Sequence, residues 1–118
     1  MIIEELDFRA AATLEPAPEL VLSGNADGRI VGDLLTLVTA LDAKLCSARA
    51  PAITIDIGRL EFMNATCFNV FVTWLGLIND RDPETRYELR FITNTSIPWQ
   101  RRSLHTLSCF ATDLVVLL

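Results

Sequence analysis

The sequence predicts an α/β or α+β layered fold, with a mixed central sheet of about five strands and helices packed mainly on one face. Three observations carry this. Strand-like runs alternate with helix-like ones from about residue 19 onward, which is the pattern of β-α-β units with parallel neighbours and right-handed crossovers. Pro and Gly together number only ten, too few for a loop-dominated or disordered chain. Hydrophobic residues make up 51% of the 118 residues, and a mean hydropathy of +0.36 argues for a well-filled core over disorder. A chain this long fits a single domain, residues 1–118.

The segments follow in order. Over residues 2–14, Leu6, Phe8, Ala10, Ala12 and Leu14 alternate with Asp7, Arg9, Ala11 and Thr13, the period of a half-buried edge strand. A turn at Pro16-Ala17-Pro18 leads to a strand over Glu19–Ser23, paired with the first as a hairpin and ended by Gly24. Asp33 opens a helix in which Leu34, Leu37, Val38, Leu41 and Leu45 recur at helical spacing and face the sheet, with Asp42 and the Lys44/Arg49 end on or near the outer side. Pro51 stops it. Ile53–Ile57 is a β-branched central strand ending in a turn at Gly58-Arg59, and Asn64 caps a long apolar helix. Tyr87–Thr93 alternates as a further strand. Asn94-Thr95-Ser96 offers a cap for a helix from Pro98 through Cys109, and Asp113–Leu118 closes as a strand.

Composition excludes several classes. The formal net charge is −5, and apart from Arg101-Arg102 the basic residues are scattered, so nucleic-acid binding is not expected. The first residues, MIIEELDF, lack a signal-peptide pattern, and the longest apolar stretch is broken by Asn69, Thr73 and Gly76, short of the ~20 residues a bilayer needs. A soluble cytoplasmic protein without membrane contact is expected. Cys46, Cys67 and Cys109 have neither disulfide nor zinc spacing, so the expectation is no metal and no cofactor. Gly24, Gly28 and Gly32 recur every fourth residue but match no phosphate loop.

Two stretches resemble the STAS domain, the family of sulfate transporters and anti-sigma-factor antagonists. Leu22-Ser23-Gly24-Asn25-Ala26-Asp27 is similar to the family's strand followed by G-x-x-D. Ile55-Asp56 through Leu60-Glu61-Phe62-Met63-Asn64-Ala65-Thr66 is similar to its D-x-x-x-x-x-F-[MI]-D-S-[ST]-G segment. The likeness spans residues 20–118. It implies a non-enzymatic module of bacterial signalling, resembling an anti-sigma factor antagonist. The implied partner is a regulatory serine/threonine kinase, a histidine-kinase system or another STAS protein. It also implies a phosphorylation switch, but the acceptor serine is Ala65 here, the preceding Asp is Asn64 and the Gly is Cys67. The switch is therefore lost or moved to Thr66.

The residues themselves point to the same place. Helix N-termini carry partial positive charge and unpaired N–H groups. Asn69, Thr73, Gly76 and Asp80 project as one polar strip flanked by Ala65 and Thr66. Cys67, Phe68 and the remaining apolar residues to Ile78 span roughly 220°, about twice the stripe a surface helix buries, leaving one flank for a partner or a homodimer, or for neighbouring loops and the N-terminal hairpin to cover. The expected contact is Asn64, Ala65, Thr66, Phe68, Asn69 and Thr73, unless Asn64 is only a cap and Thr66 an ordinary first-turn residue. The alternatives are a small enzyme with a reactive Cys67 paired to His105, or a homodimerising scaffold subunit. A receiver-type Asp56 lacks the acidic cluster and lysine such a site needs. Trp99-Gln100-Arg101-Arg102 could meet an acidic surface or a phosphate, or form a solvated helical face.

Overall fold

The computed structural model describes residues 1–118. Its strands are β1 (Ile2–Glu5), β2 (Phe8–Thr13), β3 (Glu19–Ala26), β4 (Ala52–Met63), β5 (Glu88–Ile92) and β6 (Val115–Leu117), and its helices are α1 (Val31–Ser47), α2 (Ala65–Asn79) and α3 (Pro98–Ser108). The strands form one sheet in sequence order. β1, β2 and β3 pair antiparallel, and β3 to β6 pair parallel through the three helical crossovers. No helix is long and apolar enough to cross a membrane.

The helices cover one face of the sheet. Phe8, Ala10 and Ala12, Leu20 and Leu22, Ile53, Ile55 and Ile57, and Leu89 and Phe91 all point into the core. There they join Leu34, Leu37, Val38, Leu41 and Leu45 of α1, the apolar side of α2, and Leu104 and Leu107 of α3. Each of the Val, Leu, Ile and Phe side chains contributes roughly 1.5–3 kcal/mol by leaving water. Their strand neighbours Arg9, Val21, Thr54 and Arg90 remain half-buried or exposed on the opposite face, as the period of two requires.

The sheet has six strands, not five, because residues 2–14 form a hairpin and not a single edge strand. The turn is Leu6-Asp7, since Glu5 pairs with Phe8. Neither residue has a positive φ, so the turn lacks the Gly or Asn that announces a two-residue hairpin in sequence. Gly24 does not end β3 either. Its φ of +88° lets the strand continue to Ala26 while the β1–β2 turn lies directly on it, and the Asn25 N–H donates to the Asp7 carbonyl at 2.7 Å.

Gly58-Arg59 is likewise not a turn. β4 runs through it for 12 residues, and each of two register shifts against β3 inserts an extra residue on the β4 side. At the first shift Asp56 Oδ1 accepts the Gly58 N–H at 2.9 Å, substituting for a ladder bond as bulges require. Asn94 does not cap α3. It accepts the Ser96 N–H and donates to the Gly58 carbonyl at 3.0 Å, while Pro98 takes the first helical position as expected. The irregular end of β4 is further tied by Gln100, whose Nε2 donates to the Ile57 and Leu60 carbonyls at 2.7 and 2.9 Å.

Candidate functional site

β4 ends at Met63, paired with Ala26 at the end of β3, so the residues that follow both strands meet on one rim of the sheet. There the Asn64 N–H donates to the Ala26 carbonyl at 2.9 Å. Asn64 is extended (φ −73°, ψ 165°) and its Oδ1 accepts the Cys67 N–H at 2.8 Å, the geometry of an N-cap worth about 1 kcal/mol. The N–H groups of Ala65 and Thr66 belong to the first turn, where no carbonyl precedes to receive them. Both side chains are exposed.

From this start α2 presents Thr66, Asn69, Thr73, Gly76 and Asp80 to solvent and buries Cys67, Val70, Phe71, Trp74, Leu75 and Ile78. Five of the six expected contact residues thus lie at the cap or along its exposed strip: Asn64, Ala65, Thr66, Asn69 and Thr73. Phe68 does not lie fully open. It is half-buried and meets Phe71 edge to face, with ring centroids 5.6 Å apart, and Phe71 meets Phe91 the same way at 5.4 Å. The broad apolar arc therefore leaves no bare flank: α1 packs beside α2, and Phe68, Val72 and Leu77 are each half-covered.

Comparison with known proteins places this geometry. The crystal structure of an anti-sigma factor antagonist from Mycobacterium paratuberculosis superposes with a TM-score of 0.65, over 92% of this chain and 85% of that one, at 16% sequence identity. The chain has the anti-sigma-factor-antagonist fold, that of the STAS domain. No family model and no curated protein matches the sequence.

Within this STAS fold, Cys67 is a packing residue. It is 0% exposed, its thiol donates to the Asp27 carbonyl at 2.9 Å, and burial pushes its pKa up to about 11. A thiol held protonated is a poor nucleophile. His105 lies exposed on α3, and no bond joins it to Cys67. In the native protein at neutral pH, a thiol reagent is expected to modify exposed Cys109 first and to spare Cys67 until the chain unfolds; labelling of Cys67 as fast as Cys109 would contradict its burial. The same raised pKa has a pH consequence. The stability that Cys67 contributes is present below about pH 9, the ordinary value of a thiol, and is lost as pH rises through about 11.

The Trp99-Gln100-Arg101-Arg102 stretch splits by role. Trp99 donates to the Glu61 carbonyl at 2.8 Å and Gln100 is buried under β4, so two of the four residues anchor α3, while Arg101 and Arg102 are exposed.

Two polar groupings escaped the sequence reading. Arg29 forks onto the Asp27 carboxylate at 2.7 and 3.1 Å and holds that carboxyl below its ordinary value. This pair borders the α2 cap, because Gly28 lies against the Asn64 amide. The second is in the interior. Asp42 is 3% exposed, not on the outer side of α1. Its Oδ1 accepts the Tyr87 hydroxyl at 2.6 Å and its Oδ2 accepts Arg81 Nη2 at 2.6 Å, while Trp74 Nε1 donates to the Tyr87 oxygen at 2.6 Å. The network ties α1 to the C-terminal end of α2 and to the start of β5. Burial pushes the Tyr87 phenol pKa well up.

Proposed function

We propose that residues 1–118 form a single STAS-like domain that works in bacterial cytoplasmic signalling as a non-catalytic regulatory module. It binds a regulatory serine/threonine kinase, a histidine-kinase system or another STAS protein through the N-terminus and exposed strip of α2. The observation that carries the reading is the strip itself: Ala65, Thr66, Asn69, Thr73 and Gly76 run exposed from the capped N-terminus along one helix, in a fold shared with an anti-sigma factor antagonist. Gly76 adds to it. A Cβ there meets nothing within 4 Å, so the fold has no use for glycine in mid-helix, where it costs roughly 0.5–1 kcal/mol against alanine. A partner approaching the helix closely does have a use for it.

The test is affinity capture from cells of the source organism with the native chain and with Thr73→Arg, which keeps a good helix former at an exposed site. The native chain is expected to recover a signalling kinase or a second STAS protein, and the variant to lose it. Equal recovery by the two, or recovery of neither class, would remove the reading. Phosphate transfer is separable. Thr66 is the hydroxyl at the exposed helix start, so intact-mass measurement after incubation with the recovered kinase and ATP is expected to show one phosphate, absent in Thr66→Ala; unchanged mass in the native chain would show that the module binds without being modified.

A further inference from the structure

β1 is an edge of the sheet, and half of its backbone is unused. The Met1 carbonyl accepts the Ala12 N–H at 2.8 Å, and bonded residues alternate along an antiparallel pair. Ile3 and Glu5 therefore turn their N–H and carbonyl groups towards β2, while Ile2 and Glu4 turn theirs outward. No strand lies beyond them.

A groove of about 500 Å³ runs along this edge, lined on one side by every residue from Met1 to Glu5 and on the other by Asp33, Thr36, Leu37 and Ala40 of α1. Because odd and even residues of the strand both line it, the groove follows the edge and not one face. The helix residues fall at i, i+3, i+4 and i+7, a single stripe. Leu37 is buried within it, and the short side chains of Thr36 and Ala40 are exposed, which keeps the groove open. From Asp33 to Ala40 the stripe runs about 10 Å, the length of about three extended residues. A strand edge facing a helix across a groove suits an extended segment, whose backbone bonds the edge while alternate side chains enter the groove. Guarding an edge takes charge or a bulge. It does not take a groove with Ile2 61% exposed beside it.

Charge selects the segment. No Lys, Arg or His side chain lines the groove, and Glu5 and Asp33, at the same end of it, form no ion pair. Arg9 is held by Glu4. Arg29 is held chiefly by Asp27, with Glu5 and Asp7 adding to the pull on it. Lys44 follows Asp33 by eleven residues on α1, about 16 Å and twice the screening length at physiological salt. The Met1 amino group is at the opposite end of β1. A second copy of the chain fits poorly, since β1–β1 pairing would bring two glutamates from each chain into one ribbon, between molecules that each carry a net charge of −5. We infer that the groove between β1 and α1 takes an extended segment of another protein, one that pairs with Ile2 and Glu4, sets apolar side chains against Leu37, and carries Lys or Arg at the Glu5 and Asp33 end. This site is separate from α2 and stands without the role proposed for that helix.

The test pans a phage-displayed random dodecapeptide library on the native chain and measures affinity with synthetic copies of the enriched peptides. Enriched sequences are expected to alternate β-branched or aromatic residues with Lys or Arg. By NMR, peptide at ten times its dissociation constant is expected to slow hydrogen exchange of the Ile2 and Glu4 amides about tenfold, and to change Ile3 and Glu5, already bonded to β2, far less. Ile2→Pro removes an outward N–H at the start of the strand and no bond to β2, and is expected to weaken binding about tenfold. Glu5→Gln with Asp33→Asn leaves the edge intact and is expected to weaken it by a similar factor and to flatten its salt dependence. Thr73→Arg is expected to bind the peptides as the native chain does. No enrichment, enrichment of peptides without Lys or Arg, or native affinity in either the Ile2→Pro or the double variant overturns the proposal and leaves the α2 reading standing. A native chain that sediments as a dimer, with Ile2→Pro a monomer, assigns the edge to a second copy and overturns it as well.

Discussion

Asp42→Ala is expected to destabilise the fold by about 3 kcal/mol, near the lower end of what breaking a buried charged pair costs. The substitution leaves the buried Tyr87 hydroxyl without its acceptor and Arg81 without its carboxylate, in a network where Tyr87 and Arg81 Nη2 each donate to Asp42, and Trp74 to Tyr87, at 2.6 Å. Arg81 can turn to water, since its side chain is 37% exposed, and this keeps the cost from rising further. Tyr87 and Trp74 cannot; both are buried. In urea the unfolding midpoint is expected to fall with no change in slope, and the melting temperature by roughly 10 °C. Asp42→Asn retains an acceptor for Tyr87 and is expected to cost less. A loss below about 1 kcal/mol for Asp42→Ala, the range of an exposed ion pair, would mean that the network does not hold α1, α2 and β5 together.

Gly24→Val is the second large effect. At φ +88° a β-branched residue is strained wherever it sits, and here its Cβ would also strike the Asp7 carbonyl. The β1–β2 turn must lift, breaking the Asn25 to Asp7 bond. Strain and a lost hydrogen bond together amount to roughly 2–4 kcal/mol. Denaturation should show that loss, and hydrogen exchange should show faster opening in residues 2–13 than in α1. Two glycines provide the contrast. A Cβ at Gly32 or Gly76 meets nothing within 4 Å, so alanine at either is expected to be neutral or stabilising by up to about 1 kcal/mol. A Gly24→Val protein as stable as these would contradict the packing of the turn.

What could be read in the sequence was whatever a few adjacent residues decide. The five apolar positions of α1 all reached the core, Asn64 caps α2, and Tyr87, Leu89 and Phe91 are buried while Glu88 and Arg90 are not. What escaped depends on partners far along the chain. Asp42 bonds residues 39 and 45 positions away, and nothing in helical spacing distinguishes an acid beside Leu41 that faces water from one that meets Tyr87. The Leu6-Asp7 turn carries neither Gly nor Asn, so the sequence predicts one strand where two exist. In sequence Gly58 reads as a turn, because its role, absorbing an extra residue in register with β3, exists only once β3 lies beside it.

The candidate site divides in the same way. The polar strip of α2 followed from periodicity, and the structure leaves it exposed. The bare apolar flank did not survive, because how much of α2 is covered depends on where α1 docks and on the stack of Phe68, Phe71 and Phe91. Cys67 had the position of a reactive thiol at a helix start, but sits closed under the Asp27 carbonyl.

If α2 is the partner-binding element, affinity for the recovered partner depends on its exposed strip. Titration calorimetry would compare the native chain, Thr73→Arg on the strip, and Glu84→Arg beyond the far end of the helix, each checked for an unchanged melting temperature. Thr73→Arg is expected to weaken binding at least about tenfold and Glu84→Arg to leave it unchanged. Native affinity in Thr73→Arg would contradict it.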